Sequence, residues 1–234
     1  MRLTPRQRWS WFAHVFKAAT QQHHTSLRPL LAPHIPYDAV VVDAGAHAGQ
    51  FAKMAPRGSI YAFEPAPYAR SVMAPALRLS GLRNIMVIAA GLSDAPGELT
   101  LHTTVKPSGS LGFGTAHLGQ DDGLSPAVNQ TVSLVTLDDF VRVRNFERLD
   151  FIKADVEGWE LHVLRGAGAT LRRFLPALML EVDDAFLMRA GDSAPTLFEW
   201  LAEIGYRGFQ LPSLIAAPTY TVAGDYLFLA VAQD

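Results

Sequence analysis

Two carboxylates, Asp43 and Glu64, close short apolar runs: Asp43 within "VVVDAGAHAGQF" (residues 40–51) and Glu64 at the end of "SIYAFE" (59–64). Runs of this kind read as buried strands, and the C-terminal ends of neighbouring parallel strands are where open α/β sheets bind ligands. After Asp43 the chain enters a Gly45-x-x-x-Gly49 loop, and a strand, a glycine loop and a following helix offer backbone N–H groups to a ligand. The spacing is not the G-x-G-x-x-G of a dinucleotide fold. A carboxylate at Asp43 would repel a diphosphate and suit an ammonium or a sulfonium, while Glu64 stands where an acid accepts hydrogen bonds from a ribose diol. The pair describes an adenosine ligand that is cationic at its other end. S-adenosylmethionine meets that description; NAD does not. The expected cofactor contacts are therefore Asp43, Gly45, Ala46, His47, Gly49, Glu64 and Pro65. If His47 faces the cofactor it should be neutral, because an imidazolium beside a sulfonium is penalised.

A second acidic cluster follows in "KADVEGWE", which sets Lys153, Asp155, Glu157 and Glu160 around the end of a later strand. A carboxylate in such a cluster can act as a base toward a weak nucleophile such as a hydroxyl. Asp155 and Glu157 are the candidates, Asp155 also being expected at the cofactor. Lys153 shares a strand face with Asp155, as an ion-pair partner or an acceptor contact. Downstream, "LEVDD" adds Glu181, Asp183 and Asp184. Asp155, Asp183 and Asp184 form the set that would hold Mg²⁺, since hard cations take carboxylate oxygens; helix capping is the simpler reading, and metal independence is expected.

The elements that must position these groups follow from pattern. The 234 residues suit one α/β domain with room for an extra element. Apolar runs at 39–43, 59–64, 84–92, 150–155 and 177–182, separated by helix-like stretches at 67–81 and 158–174, indicate a parallel sheet covered on both faces. Between them "GELTLHTT" and "QTVSLVTL" alternate, which predicts an antiparallel insertion joined by a long Gly/Ser-rich loop. "SAPTLFEWLAEIG" reads as a helix with Ser193 as its N-cap, and "YRGFQL" and "YLFLAVA" as closing strands. Residues 6–21 have helical apolar spacing, predicting an amphipathic helix that packs on the main body, a lid or a dimer contact being the alternatives. Three prolines make "RPLLAPHIP" mostly non-helical. Residues 1–37 are thus an N-terminal helical extension and 38–234 the principal domain. A net charge of −2 gives no electrostatic footprint for nucleic acid or an anionic membrane. Absent cysteine excludes disulfides and thiolate-zinc sites, and without a signal-peptide pattern the expected location is the cytoplasm.

In this order "VVVDAGAHAGQF", "IYAFEPAP", "VTLDDF" and "DFIKADVEGWELHVLRGA" resemble the FkbM family of S-adenosylmethionine-dependent methyltransferases, over about residues 39–182. "KADVEGWELHVLRGA" is the most specific part; in the loop "GAHAG" the family more often carries Asn and a larger aliphatic residue. The resemblance implies a Rossmann-like class I methyltransferase fold, a seven-stranded mostly parallel sheet with helices on both faces. It also implies that the "KADVEGWE" segment faces the active site, that the Gly/Ser stretch around Ser110 lies near the cofactor, and that the reaction is O-methylation of a saccharide, polyketide or other small-molecule acceptor. An N-methyltransferase is disfavoured because the fourth strand lacks an N/D-P-P-Y/F segment. A catalytically silent binding protein is the other alternative.

Overall fold

The computed structural model describes residues 5–21, 25–105, 111–118 and 127–231, the side chains of 5–7 and 111–115 excepted. Its centre is an eight-stranded sheet built from β1 (Val40–Ala44), β2 (Ser59–Phe63), β3 (Ile85–Ile88), β8 (Phe151–Ala154), β9 (Ala177–Val182), β10 (Tyr206–Gln210), β11 (Ile215–Ala217) and β12 (Gly224–Ala230). The strand order is β11-β10-β12-β9-β8-β1-β2-β3, and the run from β3 to β9 is parallel. At the other end β12, β10 and β11 pair antiparallel. The expected seven strands are present; the eighth, β11, is a three-residue edge strand too short to show a period.

Alternation along the strands divides the core. Val42, Ala44, Phe63 and Ile152 face one hydrophobic cluster, and Val41, Ile60, Ala62 and Phe151 face another. The first is covered by α4 (Leu137–Val143), α5 (Glu160–Arg165), α6 (Gly168–Phe174), α7 (Asp184–Arg189) and α8 (Ala194–Glu203). The second takes Met73 and Leu77 of α3 (Pro67–Leu79) and Leu31 of α2 (Arg28–Leu31). Ser193 caps α8 as expected, its hydroxyl accepting from the Thr196 N–H. Asp138 of "VTLDDF" accepts from the Ala169 and Thr170 N–H groups, tying α4 to the start of α6.

A second sheet rises beside the first: β4 (Gly91–Leu92), β5 (Gly97–Val105), β6 (Leu111–His117) and β7 (Ala127–Val135), ordered β4-β7-β5-β6. The predicted antiparallel pairing is that of β5 with β7, Gly97 opposite Leu134 through Thr104 opposite Ala127. Part of the predicted Gly/Ser-rich loop is strand β6, which borrows its order from the edge of β5. The single run at 84–92 is split between the two sheets as β3 and β4.

Other departures are local. No long helix follows the glycine loop; one 3₁₀ turn, Phe51–Met54, takes its place. "RPLLAPHIP" is not mostly irregular: it forms α2 and a 3₁₀ turn, Ala32–His34, with a proline in the first turn of each, where the missing N–H is harmless. The stretch 158–174 is two short helices rather than one. The N-terminal helix α1 (Pro5–Thr20) packs through Val15 and Ala18 on Tyr68, Val72 and Ala76 of the α3 region. Lys53 closes its C-terminus by donating to the carbonyls of Ala18, Ala19 and Gln21 at 3.0, 2.9 and 3.0 Å, a cation against the negative helix end. The opposite face carries the exposed Trp9, Phe12 and Phe16. No helix among the described residues is long and apolar enough to cross a membrane.

Gly45 has φ +71°, and a Cβ there would run into the Asp155 carbonyl. Gly45→Ala should therefore lower stability by at least about 1–3 kcal/mol from the backbone alone, read as a lower urea midpoint at unchanged slope. An unchanged midpoint would show that the loop opens without cost.

Candidate active site

The β1–loop junction is fixed by backbone pairing to β2: the Gly45 and Ala46 N–H groups donate to the Phe63 carbonyl at 3.0 and 3.1 Å. Register then sets Asp43 beside Lys153 on β8. Lys153 is 4% exposed, and its ammonium donates to the Gly45 carbonyl at 2.9 Å. It lies 3.1 Å from Asp155 Oδ2 and 3.6 Å from Asp43 Oδ1. Of the two roles expected for Lys153, the structure displays the ion pair. Asp43 is fully buried and neither carboxylate oxygen has a hydrogen bond; the lysine, 3.6 Å away, is an ion-pair neighbour beyond hydrogen-bond reach. Burial pushes the Asp43 carboxyl up, against the pull of Lys153.

Above this buried trio opens a cleft of about 360 Å³ whose walls include Gly45, His47, Glu64, Asp155, Glu157 and Glu181. Pro65 also lines it. A narrower extension reaches Ala46, Gln50 and Lys153. Asp43 and Gly49 do not reach the cleft wall: Asp43 lies beneath it, and Gly49, at φ +74°, turns the loop against Met73 and Leu77. Ser110 lies outside the described residues. The opposite wall comes from the second sheet, through Leu101, Ala116 and Leu118, with Trp159 at its edge. These wall residues were not singled out from the sequence; alternation in "GELTLHTT" was the available signal for Leu101.

Each cleft acid is held differently. Glu64 Oε2 accepts from the His47 N–H at 2.8 Å and Oε1 from the Ala66 N–H at 2.7 Å, so it braces the glycine loop and keeps further lone pairs for a ligand. Burial raises its pKa to about 7, against those two N–H donors. Glu157 sits at φ +57° and Gly158 at φ +102°, successive left-handed residues; a Cβ at Gly158 would strike the Phe186 carbonyl, so this turn lies tight on α7. Burial first, then the charges of Asp155 and Glu160, raise Glu157 to about 7. Glu160 faces inward: its Oε1 accepts from the Val156 and Gly158 N–H groups at 3.0 and 3.3 Å, clamping the turn that presents Glu157. Asp155 is held low by Lys153 despite its burial, and Glu181, pushed up by burial and by its hydrogen bond with Asp155, keeps the shared proton.

The Mg²⁺ set does not assemble. Asp183 caps α7 by accepting from the Ala185 N–H at 2.9 Å, and Asp184 accepts from the Ala194 N–H at 2.7 Å. No group of three or more His, Asp or Glu suited to a metal ion occurs among the described residues.

The parallel sheet, the acid-ended β1 and β2, and a cleft at their C-terminal edge define a class I methyltransferase fold. The FkbM methyltransferase domain matches residues 43–208, and the chain belongs to that family. Over 163 residues it is 32% identical to methyltransferase sdnD of Sordaria araneosa, covering 56% of this chain and 61% of that protein. The chain thus spans about three fifths of that relative's length. Among solved structures it is similar to methyltransferase FkbM from Methylobacillus flagellatus KT (TM-score 0.53, 16% identity, 96% of this chain and 59% of that one). It is also similar to an O-methyltransferase from Bacillus cereus in complex with SAH (TM-score 0.50, 11% identity, 99% and 93%). The cofactor of such a domain is S-adenosylmethionine. The residues fit it: Glu64 has spare acceptor capacity for a ribose, and the carboxyl groups of Asp155, Glu157 and Glu181 in the cleft wall favour a cation.

Lys153→Met would leave Asp43 and Asp155 facing each other without a cation. Stability should fall by about 3–5 kcal/mol at pH 8. The loss should shrink toward pH 5, because protonating one aspartate removes one of the two uncompensated charges and the repulsion between them. Denaturant melts at the two pH values check this; an equal loss at both would contradict it.

Proposed function

We propose that this domain transfers the methyl group of S-adenosylmethionine to a hydroxyl of a saccharide, polyketide or other small acceptor, with Glu157 as the base. The observation that carries the reading is Glu157 itself: on a left-handed turn in the cleft wall, clamped from below by Glu160, with a pKa near 7. A base poised near the working pH combines the right protonation state with useful basicity. Bound in the cleft, S-adenosylmethionine supplies an electrophilic methyl on a sulfonium. Glu64 accepts from the ribose hydroxyls. Asp155, ionised beside Lys153, would supply negative charge to the cofactor's sulfonium from the cleft wall. Glu157 would take the proton of the acceptor's hydroxyl, while the cofactor would supply the methyl group to that hydroxyl oxygen and keep the carbon–sulfur electron pair on sulfur. The second sheet, with Leu101, Ala116 and Leu118, excludes water from that transfer.

Incubation with methyl-labelled S-adenosylmethionine and a panel of hydroxylated acceptors should label an acceptor at oxygen; label on nitrogen only, or none with cofactor bound, would overturn the reading. Glu157→Gln should reduce turnover by roughly 10²–10⁴-fold with cofactor affinity within a few-fold. The wild-type rate should climb as pH rises through about 7, since the base works deprotonated. A variant that loses cofactor affinity instead would make Glu157 a cofactor contact. Glu64→Ala should weaken cofactor binding by about 1–3 kcal/mol through the lost charge-assisted ribose contact, measured by calorimetry; undiminished affinity would remove Glu64 from the cofactor site.

A further inference from the structure

A second cavity, of about 470 Å³, adjoins the first, and Trp159 lines both. Its walls are Leu99, Thr100 and His102 of β5 on one side and Arg189 with Ala190 and Gly191, at the end of α7, on the other. Arg189 differs from the other arginines near the core. Arg70 donates to the Glu64 and Pro65 carbonyls at 2.7 and 2.6 Å, Arg148 pairs with Asp38 and Asp150, and Arg165 with Asp192. The Arg189 Nε is buried and makes no hydrogen bond, and its Nη2 has only a long 3.5 Å contact with the Glu157 carbonyl. Among the described residues it makes no ion pair; its guanidinium rests over the Phe186 ring, 4.4 Å from the centroid. A half-buried guanidinium over an aromatic ring, with most of its donors unspent, is a ready receptor for a planar anion.

The surroundings fit an organic acid. Leu99 and Trp159 offer apolar contact, the exposed Thr100 a hydroxyl, and His102 an imidazole steadied by Asn129 at 3.0 Å. Arg189 also contacts the turn that carries Glu157, so a ligand gripped there would have its other end at the cofactor cleft.

We infer that this second cavity is the acceptor site and that it selects a hydroxy acid, Arg189 binding the carboxylate while the hydroxyl reaches Glu157. The inference rests on the methyl-transfer reading, and the test separates the two. With SAH loaded, ligand-observed NMR would compare glucuronate with glucose and 4-hydroxybenzoate with phenol, the two pairs separating a sugar acid from an aryl acid. At least one acid should bind about tenfold better than its neutral counterpart. Arg189→Met should abolish that preference and Arg189→Lys keep part of it, with SAH affinity unchanged in both. Equal binding of acid and neutral forms, a preference that survives Arg189→Met, or no binding of either acid would overturn the proposal. Failure of SAH itself to bind would overturn the methyl-transfer reading instead, and the acid preference would then be scored on the SAH-free protein by the same criteria.

Discussion

The rest of the site depends on one buried cation. Lys153 sits between two aspartates, on β1 and at the end of β8, and donates to the carbonyl of the first loop glycine. A lysine in that position would be costly alone, but two carboxylates hold its charge well above the usual lysine range despite burial. Its pairing with Asp155 keeps one carboxylate ionised at the cleft edge, and burial, reinforced by the like charge of that carboxylate, pushes its neighbours Glu157 and Glu181 toward the protonated state. The acids of one cleft are thereby spread over a wide range of proton affinity. That spread separates roles: one fixed charge, one proton reservoir and one group poised to exchange a proton.

The architecture around this cation is arranged to spend backbone groups rather than waste them. Glu64 and Glu160 each take two N–H groups, Glu64 from His47 in the glycine loop and from Ala66 at the start of α3, Glu160 from Val156 and Gly158 on either side of Glu157. Both non-glycine residues of the cleft wall with positive φ, His47 and Glu157, lie in these braced turns. Strain of this kind persists only where surrounding bonds over-determine it, and here the bracing carboxylates are the same groups that tune the cleft.

Much of this was legible in the sequence because burial leaves a pattern. The apolar runs before Asp43, Glu64 and Asp155 located strands whose ends meet, and the period-two alternation of 97–104 and 127–134 located the antiparallel pair. Proximity along the chain was less informative. Asp183 and Asp184 resemble ligands in sequence but are consumed as helix and backbone caps. Glu160 belongs to the cluster in sequence yet is buried, its carboxylate spent on the Val156 and Gly158 N–H groups. At Gly166, where the stretch 158–174 divides into two helices, a Cβ would strike the Ser93 carbonyl, a tertiary contact that carries no local signal. Arg189 is one arginine among many until the fold sets it on the same cavity wall as Trp159 with its Nε unbonded.

The central claim is that the cleft's acids are tuned for a cation. Glu64 and Glu157, both near pKa 7, are part-protonated at neutral pH. A sulfonium placed among them must lower their proton affinity. Calorimetric titration at pH 7 in two buffers of different ionisation enthalpy measures this directly. S-adenosylmethionine should bind with net proton release, and S-adenosylhomocysteine, which lacks the sulfonium, with clearly less. Equal proton exchange for both, or proton uptake with S-adenosylmethionine, would contradict the account.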